Sequence, residues 1–394
     1  MESEPSKPNP PKRKRRWCQF SLRSLLVFTM VVAVACGWLG RRIEQKRRER
    51  DAVEAILKNG GSVLYDYQFD PSVRTKLPPK AAPIGPEWLR NLLGENFFNE
   101  VVVVVFDQRG VAVTDAGLKH IKALPQLRML QTTNVTDAGL GNLEGLAKLE
   151  WLELSGSKVS NAGLAHLKDL IHLQNLDLSE TRVSDAGLEN LERLAQLQTL
   201  FLAGTRVGDA GLVHLKGLTR LQTLWMERTI ITGAGLLHLK ELTGLQTLGL
   251  FGTNISDTGL FNLKGLIRLR TLDLESTNVT DEGMVNLNGL MQLRTLKLAR
   301  TKVGNDGLKS VRELAQVQTL ILESTYTTGA GLENLEGLAQ LQTLDLWGCN
   351  VGDAGLQHLK GLTQLRQLDL RKTNVTDTGV KDLQTALPNC KIEH

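Results

Sequence analysis

The chain has 394 residues, of which 41% are apolar, 5% aromatic and 23% charged. That ordinary globular composition argues against wholesale disorder and against a many-spanning membrane protein. Its net charge of +5 does not point to nucleic acid, because residues 1–50 carry 13 Lys/Arg against 4 Asp/Glu and the remainder 34 against 38, leaving a mildly acidic body.

Residues 1–23 form a polar, cytoplasmic-type tail that ends in the basic run Lys12-Arg13-Lys14-Arg15-Arg16 and Arg23. Residues 24–40 (SLLVFTMVVAVACGWLG) then hold no charge over 17 positions. This is the short end of what spans a bilayer, roughly 17–25 residues, and Trp17 and Trp38 sit where interfacial aromatics gather. The segment reads as one transmembrane anchor. Ala33-Val34-Ala35 also matches a signal-peptidase site, and with Cys36 a lipoprotein box. Against both, Gly37-Trp38-Leu39-Gly40 stays apolar past the site and a dense charge run follows, so an uncleaved anchor is the preferred reading. Seven Lys/Arg on each side leave the positive-inside rule tied. The compact basic cluster on a short tail favours a single-pass protein with its body outside the cytoplasm, and basic residues 12–16 then meet anionic lipid or set topology.

Residues 41–85 read as a charged juxtamembrane helix to Lys58, a break at Asn59-Gly60-Gly61, a strand over 62–69 and a connector with five prolines in 71–86. Residues 86–112 read as a cap, with EWLRNLLGENFF as a helix and VVVVVF (101–106) as a fully buried strand.

From Val113 the sequence repeats every 24 residues, with starts at 113, 135, 159, 183, 207, 231, 255, 279, 303, 327, 351 and 375; only the first spacing, 22, differs. Residues 113–374 hold eleven units, and 375–394 a partial unit with a closing cap. In the unit 183–206, Leu197-x-x-Leu200-x-Leu202 alternates as a strand does, and Leu188, Leu191 and Leu194 follow one helical face. The Ser/Thr-Asp pair at the opening of the unit, as in Ser184-Asp185, supplies N-cap chemistry, and the Gly of DAGL gives room where coils touch or where φ is unusual. A Thr recurring after the strand is expected to bond backbone groups of the neighbouring coil. One unit cannot bury its leucines, but a stack can.

The VTDAGL, HLKGL and LQTLDL patterns behind an FSLRSLL segment resemble bacterial membrane-anchored leucine-rich repeat proteins of the ribonuclease-inhibitor-like class, with Thr in place of the commoner Asn. The resemblance covers residues 86–394 and, more loosely, the anchor. It implies an α/β solenoid: a horseshoe with a parallel sheet on its concave side and helices on its convex side, behind one N-terminal transmembrane helix. ALPNCKI (386–392) is similar to a closing cap of that family.

No nucleophile elbow, zinc-protease motif, CxxC or phosphate loop occurs, and the repeats leave no stretch for a catalytic domain. The expectation is a non-catalytic chain without cofactor or metal. His120, His166, His214, His238 and His358 share one repeat position with Asn142, Asn190, Asn262, Asn286 and Asn334, which fits a shared hydrogen-bonding role better than metal ligation. Cys349 stands in the Thr row and reads as a small buried thiol; Cys390 is too far along the chain to pair with it. Strand residues pointing away from the core remain. Phe201, Trp225 and Phe251 fall on consecutive coils, bordered by Glu227, Asp273 and Glu275, with Trp151 and Trp347 on the same surface. Clustered aromatics on a rigid platform are what a binding hot spot looks like. The expected function is therefore a membrane-tethered scaffold binding a protein ligand on its concave face. A receptor for glycan or cell-wall material is the second reading, and nucleic acid is disfavoured by the acidic body.

Overall fold

The computed structural model describes residues 22–70, 75–76, 83–106 and 115–394. The basic run 12–16, Trp17, Cys18, most of the proline connector and the opening Val113-Thr114 of the first coil lie outside these residues. The described residues fall into two compact units, divided between Arg50 and Asp51.

The apolar segment and the charged segment after it form one helix, α1 (Leu22–Lys58, 37 residues). No proline interrupts it, and the chain leaves it at Asn59-Gly60, where Gly60 has φ 77°. At 1.5 Å per residue it is about 55 Å long, beyond the roughly 30 Å of a hydrocarbon core. Its apolar part is long enough to cross a membrane and is fully exposed. In its last turns, Ala52 and Ile56, four apart, are buried in the main core.

Strand β1 (Gly61–Tyr65) follows, but the single strand expected over 62–69 is broken. Tyr65 donates its N–H to Gln68 Oε1 and Tyr67 to Asp66 Oδ1, so polar side chains turn the backbone before β2 (Phe69–Asp70). β2 pairs antiparallel with β3 (Thr75–Lys76). Helix α2 (Glu87–Leu93) is shorter than the twelve-residue pattern, because Gly94 ends it at φ 105° and ENFF becomes a turn that buries Phe97. Strand β4 (Val101–Phe106) is buried on both faces: Val104 and Phe106 enter the main core, while Val102 and Val103 pack with Phe69. The strand is buried as its five valines imply, except at Val105, which is partly exposed.

Each coil then spends 24 residues on a three-residue strand, a tight turn and a short helical return. In the coil from Val183, the strand Thr199–Phe201 points Leu200, like the following Leu202, into the core and leaves Phe201 half-buried. Leu188, Leu191 and Leu194 are fully buried, but the first two lie on a four-residue helix (Asp185–Leu188) continued as a 3₁₀ turn (Glu189–Leu191), and Leu194 follows it. A three-residue spacing suits three residues per turn, so most convex elements are one turn of each kind. Eleven such strands, from β5 (Met129–Gln131) to β15 (Gln367–Asp369), stack in register 24 residues apart, 22 between the first two; Leu248, for example, faces Leu224 and Leu272. With β1, β4 and β16 (Lys391–Glu393) they make one 14-stranded sheet, parallel except at β1–β4. The leucines merge into a single core reaching from Ala52 to Cys390.

The polar rows hold the stack differently from what the repeat alone implies. Hydroxyls cap helices at Ser160, Thr280 and Thr376. Each of these hydroxyl residues is also held by an Asp of the preceding coil: Asp257 accepts from the Thr280 N–H and Oγ1, both at 2.8 Å, and Asp137 and Asp353 do the same for Ser160 and Thr376. The DAGL glycine lies under that carboxylate. A Cβ on Gly283 would sit 2.3 Å from Asp257 Oδ1, so close approach, not φ, requires glycine there. The Thr row turns inward on its own coil: Thr277 Oγ1 donates to the Leu274 carbonyl three residues earlier, and Thr253 and Thr301 repeat this, whereas the Ser157 hydroxyl is buried without a partner. Cys349 in that row instead crosses to the neighbouring coil, donating to the Leu322 carbonyl at 3.0 Å and lying 3.6 Å from Thr325 Oγ1.

Candidate functional site

The sheet has one face in the leucine core and one facing solvent, and strand register sets the rows on the latter. Phe201, Trp225, Gly249, Asp273 and Lys297 are direct neighbours on successive strands. Glu227, Phe251 and Glu275 stand two residues further along their coils. The three aromatics are thus brought together on consecutive coils, each half-buried. They do not stack on one another: no ring pair forms among Phe201, Trp225 and Phe251. Instead the Trp225 indole lies across the next strand, where a Cβ on Gly249 would come within 1.9 Å of its Cε3. Gly249 was the one gap in an otherwise side-chain-bearing row, and that gap is the sequence signal for where the indole goes. Phe251 carries the Arg228 guanidinium over its ring, 5.3 Å from the centroid.

Of the three carboxylates, Asp273 differs most from an open rim residue. It is 2% exposed, accepts from Lys297 Nζ at 2.9 Å and from the Glu275 N–H at 3.0 Å. Glu227 and Glu275 are half-buried, and burial, followed by the charge of Asp273, raises both above the usual carboxylate range. Burial pulls the Lys297 ammonium down, but its bond to Asp273 and the charges of Asp273, Glu275 and Glu227 outweigh this and raise it. Three carboxylates around one ammonium leave a net negative cluster beside the aromatics. The pairing of Lys297 with a buried Asp273 is not legible in the sequence, since neither burial nor pairing is visible in a single residue's position.

Trp151 and Trp347 face the same side but stand apart. Trp151, on the strand Trp151–Glu153, lines a shallow groove with Phe69, Met129 and Asn175 near the start of the sheet. Trp347 lies four coils beyond Phe251, about 19 Å at the usual strand spacing, and carries the Lys372 ammonium 4.3 Å from its ring centroid. Acidic residues continue along the sheet: burial and then Asp177 raise Glu153, and burial raises Asp345.

The histidine row behaves in two ways. Asn190 and Asn286 donate to the Gly187 and Gly283 carbonyls of their own turn, whereas His166, His214 and His358 each reach a glutamate of the preceding coil at 2.6 Å (Glu144, Glu192, Glu336). Asn and His therefore fill one slot with different partners. In the coil preceding that of His238 the glutamate is replaced by Lys216; burial, then Lys216, lowers this imidazole, and its Nδ1 is buried without a partner. Among the described residues no group of three or more His, Cys, Asp or Glu is placed to hold a metal ion. Burial raises the thiols of Cys349 and Cys390, the latter to about 11.

A family model described as leucine-rich repeat matches residues 169–191, 268–287, 340–360 and 361–383. Among solved structures, an internalin (InlF) from Listeria monocytogenes aligns with a TM-score of 0.57 at 22% identity, over 77% of this chain and 92% of its own. Internalin C2 from the same organism aligns at 0.43 and 27% identity, over 52% of this chain and 80% of its own. A TDR receptor aligns at 0.49 and 16% identity, over 70% and 52%. No curated protein matches the chain.

Proposed function

The chain is a leucine-rich repeat protein, and from that premise we propose that it is a membrane-tethered scaffold that binds a protein through the solvent face of its sheet, centred on Trp225. The observation that carries this reading is the Phe201–Trp225–Phe251 cluster. Its rings are half-exposed on a backbone fixed by strand pairing on both sides, and the indole has its own recess over Gly249. Aromatic side chains of this kind supply large contact areas at small entropic cost, and central ones dominate binding energy. The Glu227–Glu275 carboxylates flank it and favour a partner with basic residues. A glycan reading draws on the same aromatics, but Asp273, one of the carboxylates it needs, is buried and already paired. Helix α1 provides the tether, and the solenoid lies outside the cytoplasmic membrane.

A photo-crosslinker at Thr223 in intact cells identifies the partner, and affinity is then measured for two variants. Trp225→Ala is expected to weaken binding by more than about 1 kcal/mol. Gly249→Ala, whose methyl displaces the indole, is expected to weaken it while leaving Trp225 present. Unchanged affinity in both, with unchanged circular dichroism, overturns the proposal. Protease protection of the solenoid until the cytoplasmic membrane is broken overturns its placement.

A further inference from the structure

We propose that the helical side of the four coils beginning at residues 207, 231, 255 and 279 docks on an anionic bilayer surface. The seventh residue of each coil points to solvent there. Across the twelve units it reads Lys119, Gly141, Ala165, Glu189, then Val213, Leu237, Phe261, Val285, then Lys309, Glu333, Gln357, Lys381. The fold does not require an apolar residue at this position, since eight units do without a large one. Yet four consecutive coils carry one, all exposed, Phe261 at 61%. Ile267 and Met291 extend the stripe at position 13 of the last two of these coils, both more than half exposed. At the strand spacing, four coils span at least about 15 Å.

A basic row runs beside this apolar one. Lys216, Lys240 and Lys264 occupy position 10 of three of the coils, and the Lys264 ammonium sits 4.6 Å from the centroid of the exposed Phe261 ring. Arg220 and Arg268, at position 14, add exposed cations, while the exposed carboxylates over 210–294 on this side are Glu241 and Glu282. A local excess of positive charge on a body that is net acidic overall, interleaved with solvent-facing aliphatic and aromatic side chains, is the chemistry of an interfacial lipid contact. A second copy of the same stripe would set lysine against lysine. The tether proposed above supplies the bilayer, so the inference rests on that reading for proximity alone. Apolar insertion and the charge row then give two weak signals, which together hold a surface to lipid where either fails.

The test uses the full-length chain in proteoliposomes of phosphatidylcholine with or without phosphatidylglycerol. An environment-sensitive fluorophore is placed at Val285→Cys in a Cys18→Ser, Cys36→Ser background, with Glu333→Cys, the same position two coils on, as the control. Brominated lipid is expected to quench the Val285 site only when phosphatidylglycerol is present, and the Glu333 site in neither. Each lysine near an anionic surface contributes about 1 kcal/mol, a five-fold factor, so Lys216→Gln, Lys240→Gln and Lys264→Gln together are expected to weaken docking by about 100-fold. Equal quenching in both lipids, quenching at neither, or indifference to the lysines overturns the proposal. So does shielding of Val285 in detergent without lipid, which would mark a protein contact. Alkaline extraction reports the tether separately: a chain retained in the membrane but unquenched at Val285 keeps the anchor and loses the docking surface. An extracted chain loses the anchor, and flotation with anionic vesicles then decides the docking alone.

Discussion

Replacing Gly283 by Ala should destabilise the solenoid by about 2–4 kcal/mol. The new Cβ would meet Asp257 Oδ1 at 2.3 Å and Asp257 Cα at 3.0 Å. Restoring ordinary contact requires the carboxylate to retreat by about an ångström, which breaks the bonds it accepts from the Thr280 N–H and Oγ1. Those two bonds are worth about 1 kcal/mol each, and overpacking against the backbone adds about 1–3. Alanine's better helix propensity returns up to about 1 kcal/mol. Gly217, in the turn after the helical return, is the control: a Cβ there meets nothing within 4 Å, so Gly217→Ala should change stability by no more than about 0.5–1 kcal/mol. Urea unfolding of the detergent-solubilised chain, followed by circular dichroism, measures both. Hydrogen exchange across 257–287 checks that the loss is local, as expected where each coil contacts only its neighbours. In an Asp257→Ala background the Gly283→Ala cost should shrink by at least about 1 kcal/mol, because the clashing oxygen is gone. If Gly283→Ala is as stable as Gly217→Ala, the close-approach explanation for the invariant repeat glycine fails.

Three further outcomes can be checked on the same preparation. Lys297→Met leaves Asp273 buried without its ammonium and should cost about 2 kcal/mol, discounted from the value for a fully buried pair because Lys297 is one-third exposed. Adding Asp273→Asn should recover part of it, and a single-variant loss too small to measure would sink the pairing. Ser276 holds φ 55°, where its counterparts Gly156, Gly204, Gly252 and Gly348 sit at similar angles. Ser276→Gly should therefore stabilise by about 0.5–1 kcal/mol, the relief of left-handed strain less glycine's entropy, read as a higher urea midpoint. In the folded chain at pH 8, iodoacetamide should leave Cys349 and Cys390 unmodified, since burial raises both thiols, and label them after unfolding. Native labelling of either, seen by peptide mass, would show that its pocket opens.

What the sequence made legible was whatever repeats. A leucine at a fixed place in eleven coils can be assigned to the core because every copy faces the same constraint, and register follows from the 24-residue period. The 22-residue first spacing fits as well, because the two missing positions fall after the strand Met129–Gln131 and leave its pairing with Trp151–Glu153 in step. Rows of polar residues were legible as rows but not in their partners. Whether a hydroxyl at Thr277 turns to Leu274 or to the next coil depends on angles of a few tens of degrees that no spacing encodes. The same holds for His166, whose reach to Glu144 becomes visible only once the offset of 22 between adjacent coils is known.

Departures from the repeat were harder to read, and they are where function would sit. Trp225 and Phe251 stood out because an aromatic in a row of small or acidic residues is conspicuous on any reading. The Val213–Val285 stripe did not, although its residues are equally periodic. Valine and leucine in a leucine-rich sequence blend into the core until burial separates position 7, exposed, from positions 6 and 9, which are buried. The two surfaces therefore differ in how they can be recognised. The sheet face is distinguished by residue type, the helical face only by residue type together with exposure, and the two proposals together predict that point changes on either side would alter association while leaving the leucine core intact.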